Sequence, residues 1–168
     1  MRLAVTGTPG TGKTTATDLV ETDLDVVHLN DIVREEGLYT DVDEDRDSLI
    51  ADLDAVAEHL ADRDDVIVES HLSHYLDVDR VVVLRCEPSI LEHRLLDRGE
   101  PPEKARENAE SEALDVILAE AVDRHGREAV YEIETSEMGP EAVADAIETV
   151  LAGTREPSAG TVDFTGYL

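Results

Sequence analysis

The sequence predicts an α/β fold in three layers, with a five-stranded parallel sheet between two layers of helices. Two observations carry that expectation. Short apolar runs alternate along the chain with longer segments whose apolar positions recur at helical spacing. Some of those runs are apolar on both faces, most plainly Val81 to Leu84 within "DRVVVLRC" (79–86), as strands covered by helices on both sides must be.

The elements follow in order. "RLAVT" (2–6) is a buried strand, and "KTTATDLVETD" behind it has small or apolar residues at Thr14, Ala16, Leu19 and Val20, a helical pattern. "DVVHL" (25–29) is the second strand. "NDIVREEGLY" (30–39) opens on Asn30 or Asp31, both good caps, and stops at Gly37. An acidic loop, "TDVDEDRD", precedes a helix expected over Ser48 to Arg63, with Leu49, Ile50, Leu53, Val56, Ala57 and Leu60 on one face. "DVIVES" (65–70) and "DRVVVLRC" are strands three and four. "SILEHRLLDRG" is a helix ending at Gly99. Residues 101–126 read as one long helix, with Pro101 or Pro102 near its start and Gly126 at its end. "AVYEIET" (129–135) is the fifth strand and "GPEAVADAIETVLAG" the last helix. Residues 153–168 form a C-terminal tail in which Val162, Phe164, Tyr167 and Leu168 offer apolar anchors, the alternative being a frayed end. Residues 1–152 then form one domain, and 168 residues suffice for one core.

Composition narrows the function. Forty-one Asp and Glu face 14 Lys and Arg, a formal net charge of −27. Such a field opposes direct binding to nucleic acid or to an anionic membrane. Disorder is one reading of the excess. The acids interleave with helical and strand periods, however, and 41 % of the chain is hydrophobic, which favours a folded protein with a carboxylate-covered surface suited to a salty, halophilic cytoplasm. One cysteine, Cys86, permits no internal disulfide and reads as a small core residue. No apolar run approaches the roughly 18 residues of a membrane span, and "MRLAVTG" is too short for a signal peptide, so the expected location is the cytoplasm.

Lysine is almost absent; only Lys13 and Lys104 occur. Lys13 lies in Gly7-Thr8-Pro9-Gly10-Thr11-Gly12-Lys13-Thr14, which fits G-x-x-x-x-G-K-[ST] at every fixed position, between a strand and a helix. Glycines let the backbone curl so that successive amides point inward at an anion. In such a phosphate loop (P-loop) the lysine reaches the β- and γ-phosphates of a nucleoside triphosphate and the Thr14 hydroxyl ligates Mg²⁺. The attraction is local, so the acidic surface does not prevent it, and salt screens the distant carboxylates. The expected ligands are ATP and Mg²⁺. Glu69, at the end of the third strand, is a candidate to hold Mg²⁺ through water; a solvated strand-end acid is the plainer alternative.

A P-loop does not name the acceptor. Guanine-reading N-K-x-D is absent, which disfavours a switch GTPase. Arg34, after the second strand, is placed to hold an acceptor phosphate. Arg98, in "LLDRGEPPEKAR" with Lys104 and Arg106 nearby, sits in a segment that resembles a lid. Arg85, Arg94, Arg106, Arg124 and Arg127 read as surface ion pairs. Glu69, His71 and His74 in "ESHLSH" raise a metal site as a lesser option, and Asp41, Asp43, Glu44, Asp45 and Asp47 a cation loop; a solvated loop is the plainer reading of the latter. His28, His59, His93 and His125 have no partner visible in sequence.

With "TGTPGTGKTT", "NDIVREEGLY", "DEDRDSLIADLD", "VIVESH" and "RLLDRGEPPEKARENAESE" in this order, the chain resembles the adenylate kinase isoenzyme 6 family, also called coilin-interacting nuclear ATPases, over residues 1–150. The resemblance implies a P-loop NTPase fold of the nucleoside monophosphate kinase type. It implies ATP on Gly10, Gly12, Lys13, Thr14, Thr15 and Arg98, an AMP-binding segment at about 28–51 with Asp31 and Arg34, and a lid at about 97–107. Lys13, Arg98, Glu69 and His71 would be the catalytic set, with ATPase activity beside phosphoryl transfer and a basic small-subunit ribosomal protein as partner in ribosome maturation. One departure stands out: the family commonly has Asp-x-His where this chain has Glu69-Ser70-His71. Two rivals remain, an ATP-driven assembly factor with little kinase role and a kinase for another small metabolite such as a sugar, shikimate or a coenzyme A precursor.

Overall fold

A computed structural model describes residues 1–44 and 48–168. Five parallel strands form the central sheet: β1 (Arg2–Gly7), β2 (Asp25–His28), β5 (Val66–Glu69), β6 (Arg80–Arg85) and β7 (Val130–Glu134), in the order β2-β5-β1-β6-β7. β1 is central, with Val5 registered on Glu69 to one side and on Val82 to the other. All five are the strands expected from sequence, within a residue or two at each end.

The strand periodicity sorts the core into two faces. Leu3, Val5, Ile67, Val82 and Leu84 pack against Ala16 of α1 (Lys13–Leu19) and against Val143, Ile147 and Val150 of α7 (Pro140–Leu151). Ala4, Val81, Val83 and Val130 face the other way, onto Leu118 and Ala121 of α6 (Val116–His125). At the β2–β5 side, Val27, Val66 and Val68 meet Val33 of α2 (Leu29–Glu35) and Val56 of α3 (Leu53–His59). Each such aliphatic side chain contributes about 1.5–3 kcal/mol by leaving water. Cys86 joins Leu91, Leu95 and Ala105 under α4 (Pro88–Asp97) and α5 (Pro102–Ala113), buried as expected.

Three expectations are corrected. The helix expected over Ser48 to Arg63 is two elements: β4 (Ser48–Ala51), which pairs antiparallel with β3 (Tyr39–Asp43), then α3. Asp52 divides them, its carboxylate accepting the Ala55 amide at 3.1 Å as an N-cap. The acidic loop is thus partly a hairpin, with Asp41 and Asp43 in β3 and Glu44 at its turn; Asp45 and Asp47 lie outside the described residues. The long helix breaks at Asp115, which adopts φ 57° between α5 and α6. That left-handed turn brings its carboxylate to 2.5 Å from Arg85 Nη2, an ion pair that a continuous helix would not make. Finally, α2 opens at Leu29 with His28 at the cap position, ahead of Asn30 and Asp31.

The tail is packed. Ser158 donates its amide to Val130 O at 3.1 Å, and the amides of Gly160 and Thr161 bond Oε1 of Glu132. The Phe164 ring lies 5.4 Å from the Arg85 guanidinium, and Tyr167 donates to Glu92 of α4 at 2.7 Å. Of the four expected anchors, Leu168 is the exposed one.

Candidate active site

The carboxyl ends of β1, β2 and β5 converge where the chain leaves β1 for α1, the crevice position of an open α/β sheet. A cleft of about 670 Å³ opens there. Residues 9–15 form its base, and Asn30, Glu69, His71, Arg94, Asp97 and Arg98 its sides.

The loop curls as a phosphate cradle requires. Gly10 and Gly12 sit at φ +93° and +90°, the left-handed region that glycine enters without a Cβ clash. Gly10 is also crowded: a Cβ there would stand 2.9 Å from Leu91 and 3.1 Å from Leu95, so α4 rests directly on the loop. Among the described residues, the amides of Gly12, Lys13, Thr14 and Thr15 find no protein acceptor, leaving them to a ligand. Lys13 Nζ folds back on Thr8 O at 3.2 Å, and Thr11 Oγ1 donates to the same carbonyl at 2.9 Å. The Lys13 side chain is buried, which lowers its pKa to about 8; Glu69 and Glu112 pull the other way, and Arg98 pushes it further down. An ammonium held out of water beside unpaired amides is a site that gains from an incoming anion.

Glu69 reaches this loop from the end of β5. Its Oε2 accepts the Thr14 hydroxyl at 3.2 Å and faces His28 Nδ1 at 2.8 Å; His28 Nε2 faces Asp18 at 2.7 Å. Burial opposes charge on the His28 ring, but the hydrogen bonds to Glu69 and Asp18 win and raise its pKa. A hydroxyl and a carboxylate oxygen side by side are the hard donors that Mg²⁺ prefers, so Thr14 and Glu69 fit that ion. His71, half-buried on the same wall, is pushed down to about 4 by burial first and then by Lys13, and is neutral at pH 7.

Other predicted residues fall elsewhere. Asp31 and Arg34 lie exposed on α2, outside the cleft lining. Of the expected lid, Asp97 and Arg98 line the cleft; residues beyond Pro101 are the first turns of α5, from which Lys104 pairs back with Glu100 at 3.2 Å. The metal option for Glu69, His71 and His74 fails: His74 is buried with Nδ1 on Thr6 and Nε2 on Glu120, both at 2.7 Å, and among the described residues no group of three His, Cys, Asp or Glu could hold a metal ion. Two surface-arginine assignments are also corrected. Arg94 lines the cleft, with Nη1 3.4 Å from Gly10 O. Arg85 is fully buried.

The family model described as AAA domain matches residues 3–115. Proteins named "Putative adenylate kinase" match the whole chain: one from Natronomonas pharaonis is 67 % identical over 168 residues and one from Halobacterium salinarum 65 % over 169, each with 100 % of both chains covered. A third, from Methanothermobacter thermautotrophicus, is 41 % identical over 169 residues, covering 99 % of this chain and 98 % of its own. The chain belongs to this archaeal family. Each of these three matches covers 99 % or more of this chain, so the residues of the site described above lie within the matched span. Among solved structures, a shikimate kinase from Bacteroides thetaiotaomicron superposes with a TM-score of 0.57 at 16 % identity, covering 90 % of this chain and 98 % of that one, and a sulfotransferase from Alicyclobacillus acidocaldarius with 0.54 at 12 %, covering 95 % and 85 %. Together with the family match, these show a three-layer P-loop NTPase fold.

Several site residues escaped the sequence reading. Arg94 stands four residues before Arg98, the C-cap of α4, so the two lie on one side of the helix end, a spacing visible in the sequence once α4 is assigned. His28 had no such signal: its contact with Glu69 follows from register, the two residues being directly paired in β2 and β5. Thr135, Met138, Pro140 and Val143 also line the cleft, and none carries a motif.

Proposed function

We propose that the protein is a nucleoside monophosphate kinase that transfers the γ-phosphoryl group of MgATP to AMP in the cytoplasm. The observation that carries this is the buried Lys13 among unpaired P-loop amides, with Arg94 and Arg98 of α4 on the same cleft. The names of the archaeal relatives agree with it.

The triphosphate would lie along Gly10, Gly12, Lys13, Thr14 and Thr15, with the base toward the slot of Met138, Pro140 and Val143. Lys13, Arg94 and Arg98 neutralise charge on the migrating group, and Arg34 of α2 holds the acceptor phosphate, with Asp31 beside it. Thr14 and Glu69 would hold Mg²⁺, which would supply positive charge to offset that of the phosphate oxygens. No protein base is needed, because the acceptor oxygen is already anionic; catalysis is positioning and charge stabilisation. Water is the competing acceptor, and His71 on the cleft wall is placed to orient it in an ATPase side reaction.

An acceptor screen tests the reading. AMP, CMP, GMP, UMP and shikimate are offered with MgATP in molar salt. AMP is expected to be used best, and Arg34→Ala to lose AMP use at least tenfold more than basal hydrolysis. Equal loss of both activities would remove Arg34 from the acceptor site, and preference for shikimate would overturn the substrate class. Phosphate release that ignores all acceptors but rises with a basic small-subunit ribosomal protein would instead favour an assembly ATPase, a partnership that suits the net charge of −27.

A further inference from the structure

Glu69 ends β5 at the cleft, and its side chain is long enough to reach both α1 and β2. β2 and β5 are parallel neighbours, and their register pairs His28 with Glu69, so the two side chains leave the sheet on the same side. Glu69 Oε2 faces His28 Nδ1 at 2.8 Å and Thr14 Oγ1 at 3.2 Å. The far side of the imidazole is fixed too: Nε2 faces Asp18 at 2.7 Å. Thr14 and Asp18 are four residues apart on α1, one turn along the same face. Three elements therefore close a ring of side chains, Thr14–Glu69–His28–Asp18, tied by two residues of a single helix.

The ring gives the two carboxylate oxygens different tasks. Nδ1 of His28 stands at hydrogen-bonding distance from Oε2 of Glu69, and an N–H there has that carboxylate oxygen as its acceptor. Oε2 of Glu69 is engaged by that donor. Oε1 has no hydrogen-bond partner among the described residues, and Glu69 lines the cleft. Glutamate has one more rotatable bond than aspartate and needs a second contact to hold a single orientation.

We propose that His28, steadied by Asp18, is a positioning residue for the Mg²⁺-holding carboxylate: it binds one oxygen of Glu69, fixes the side-chain rotamer, and leaves the other oxygen for Mg²⁺ or its water shell. This rests on the assignment of Glu69 to Mg²⁺ above. His28 touches neither nucleotide nor metal in this arrangement; it acts through Glu69, as the partners that orient metal ligands commonly do.

The test reads binding. ATP is titrated calorimetrically into the full chain in molar KCl at a series of Mg²⁺ concentrations and in EDTA, for the parent, His28→Ala, His28→Gln, Glu69→Gln, Glu69→Asp and the double variant His28→Ala with Glu69→Asp. Thermal melts and circular dichroism of each variant report folding. His28→Ala is expected to raise the Mg²⁺ needed for half-maximal tightening of ATP binding roughly 10-fold, leaving affinity in EDTA unchanged. His28→Gln, which can still donate to Glu69, recovers part of the loss. In the Glu69→Asp background, where the shorter acid no longer reaches the ring, His28→Ala adds nothing further. If Glu69→Gln raises the Mg²⁺ requirement and His28→Ala does not, the positioning role is overturned while the Glu69 assignment stands. If Glu69→Gln changes nothing, the Glu69 assignment falls and this inference with it. If His28→Ala, or His28→Gln where the alanine variant is unfolded, weakens ATP binding equally with and without Mg²⁺, His28 supports the loop in general and the proposal is wrong.

Discussion

The guanidinium of Arg85 lies 3.2 Å from Oε1 of Glu112, with 1 % and 4 % of the two side chains exposed. Around that pair, Arg85 also meets Glu132 at 3.3 Å and Asp115 at 2.5 Å, while Glu112 accepts the Cys86 amide at 2.8 Å and the Thr8 hydroxyl at 3.2 Å. The P-loop, the end of α5, β6, β7 and the tail are joined through one buried cation. Removing Arg85 leaves Glu112 and Glu132 buried without their cation. Arg85→Ala should therefore cost about 3–5 kcal/mol in urea unfolding at constant molar salt, whereas Arg63→Ala, on the exposed surface, should stay within about 0.5 kcal/mol of the parent.

Lys13 trades stability for binding. With a folded pKa of about 8 against an ordinary 10.5, the unfolded chain binds the proton more tightly, so the buried ammonium costs stability at neutral pH and the cost fades as pH rises from about 8 through 10.5. Lys13→Met keeps the apolar stem and removes the charge. It should stabilise the nucleotide-free protein at pH 7 by about 1–3 kcal/mol while lowering turnover at least about 1,000-fold. Parallel melting curves and rate assays check both halves, and a lowered melting temperature would contradict the account of the burial cost.

His71 should shape the acid limb of stability. Burial, with Lys13 as the second cause, lowers its pKa from 6.5 to about 4 in the folded state. The unfolded chain then binds more protons between those values, so the contribution is complete above 6.5 and lost as pH falls toward 4. Between pH 6.5 and 4 the parent should lose roughly 2–3 kcal/mol more than His71→Asn. Urea unfolding at fixed salt across that range measures the difference.

What the sequence revealed and what it hid divide by range of interaction. The P-loop and its glycines were legible because a phosphate cradle is local: eight consecutive residues carry the backbone curl, the ammonium and the hydroxyl. All five strands were legible because a parallel sheet covered on both faces needs continuous apolar runs. The hairpin of β3 and β4 was not, since Leu49 and Ile50 extend the helical pattern of α3 backward, and only the Asp52 cap and cross-strand pairing break it. The α5–α6 break was hidden for a similar reason: Asp115 is an ordinary surface residue until Arg85, thirty positions away, draws its carboxylate inward. Around the cleft, the motif residues announce themselves by local spacing, whereas His28 and Arg94 come there through register and packing.

Nucleotide stoichiometry distinguishes phosphoryl transfer between two nucleotides from simple hydrolysis. Protein, MgATP and AMP are mixed in molar KCl, and ATP, ADP, AMP and free phosphate are quantified by chromatography over time, with Lys13→Met as the control. The expected result is two ADP formed for each AMP consumed, negligible free phosphate, and no change with the Lys13→Met variant. ATP falling with one ADP and one phosphate released per turnover, at a rate indifferent to AMP, would contradict it.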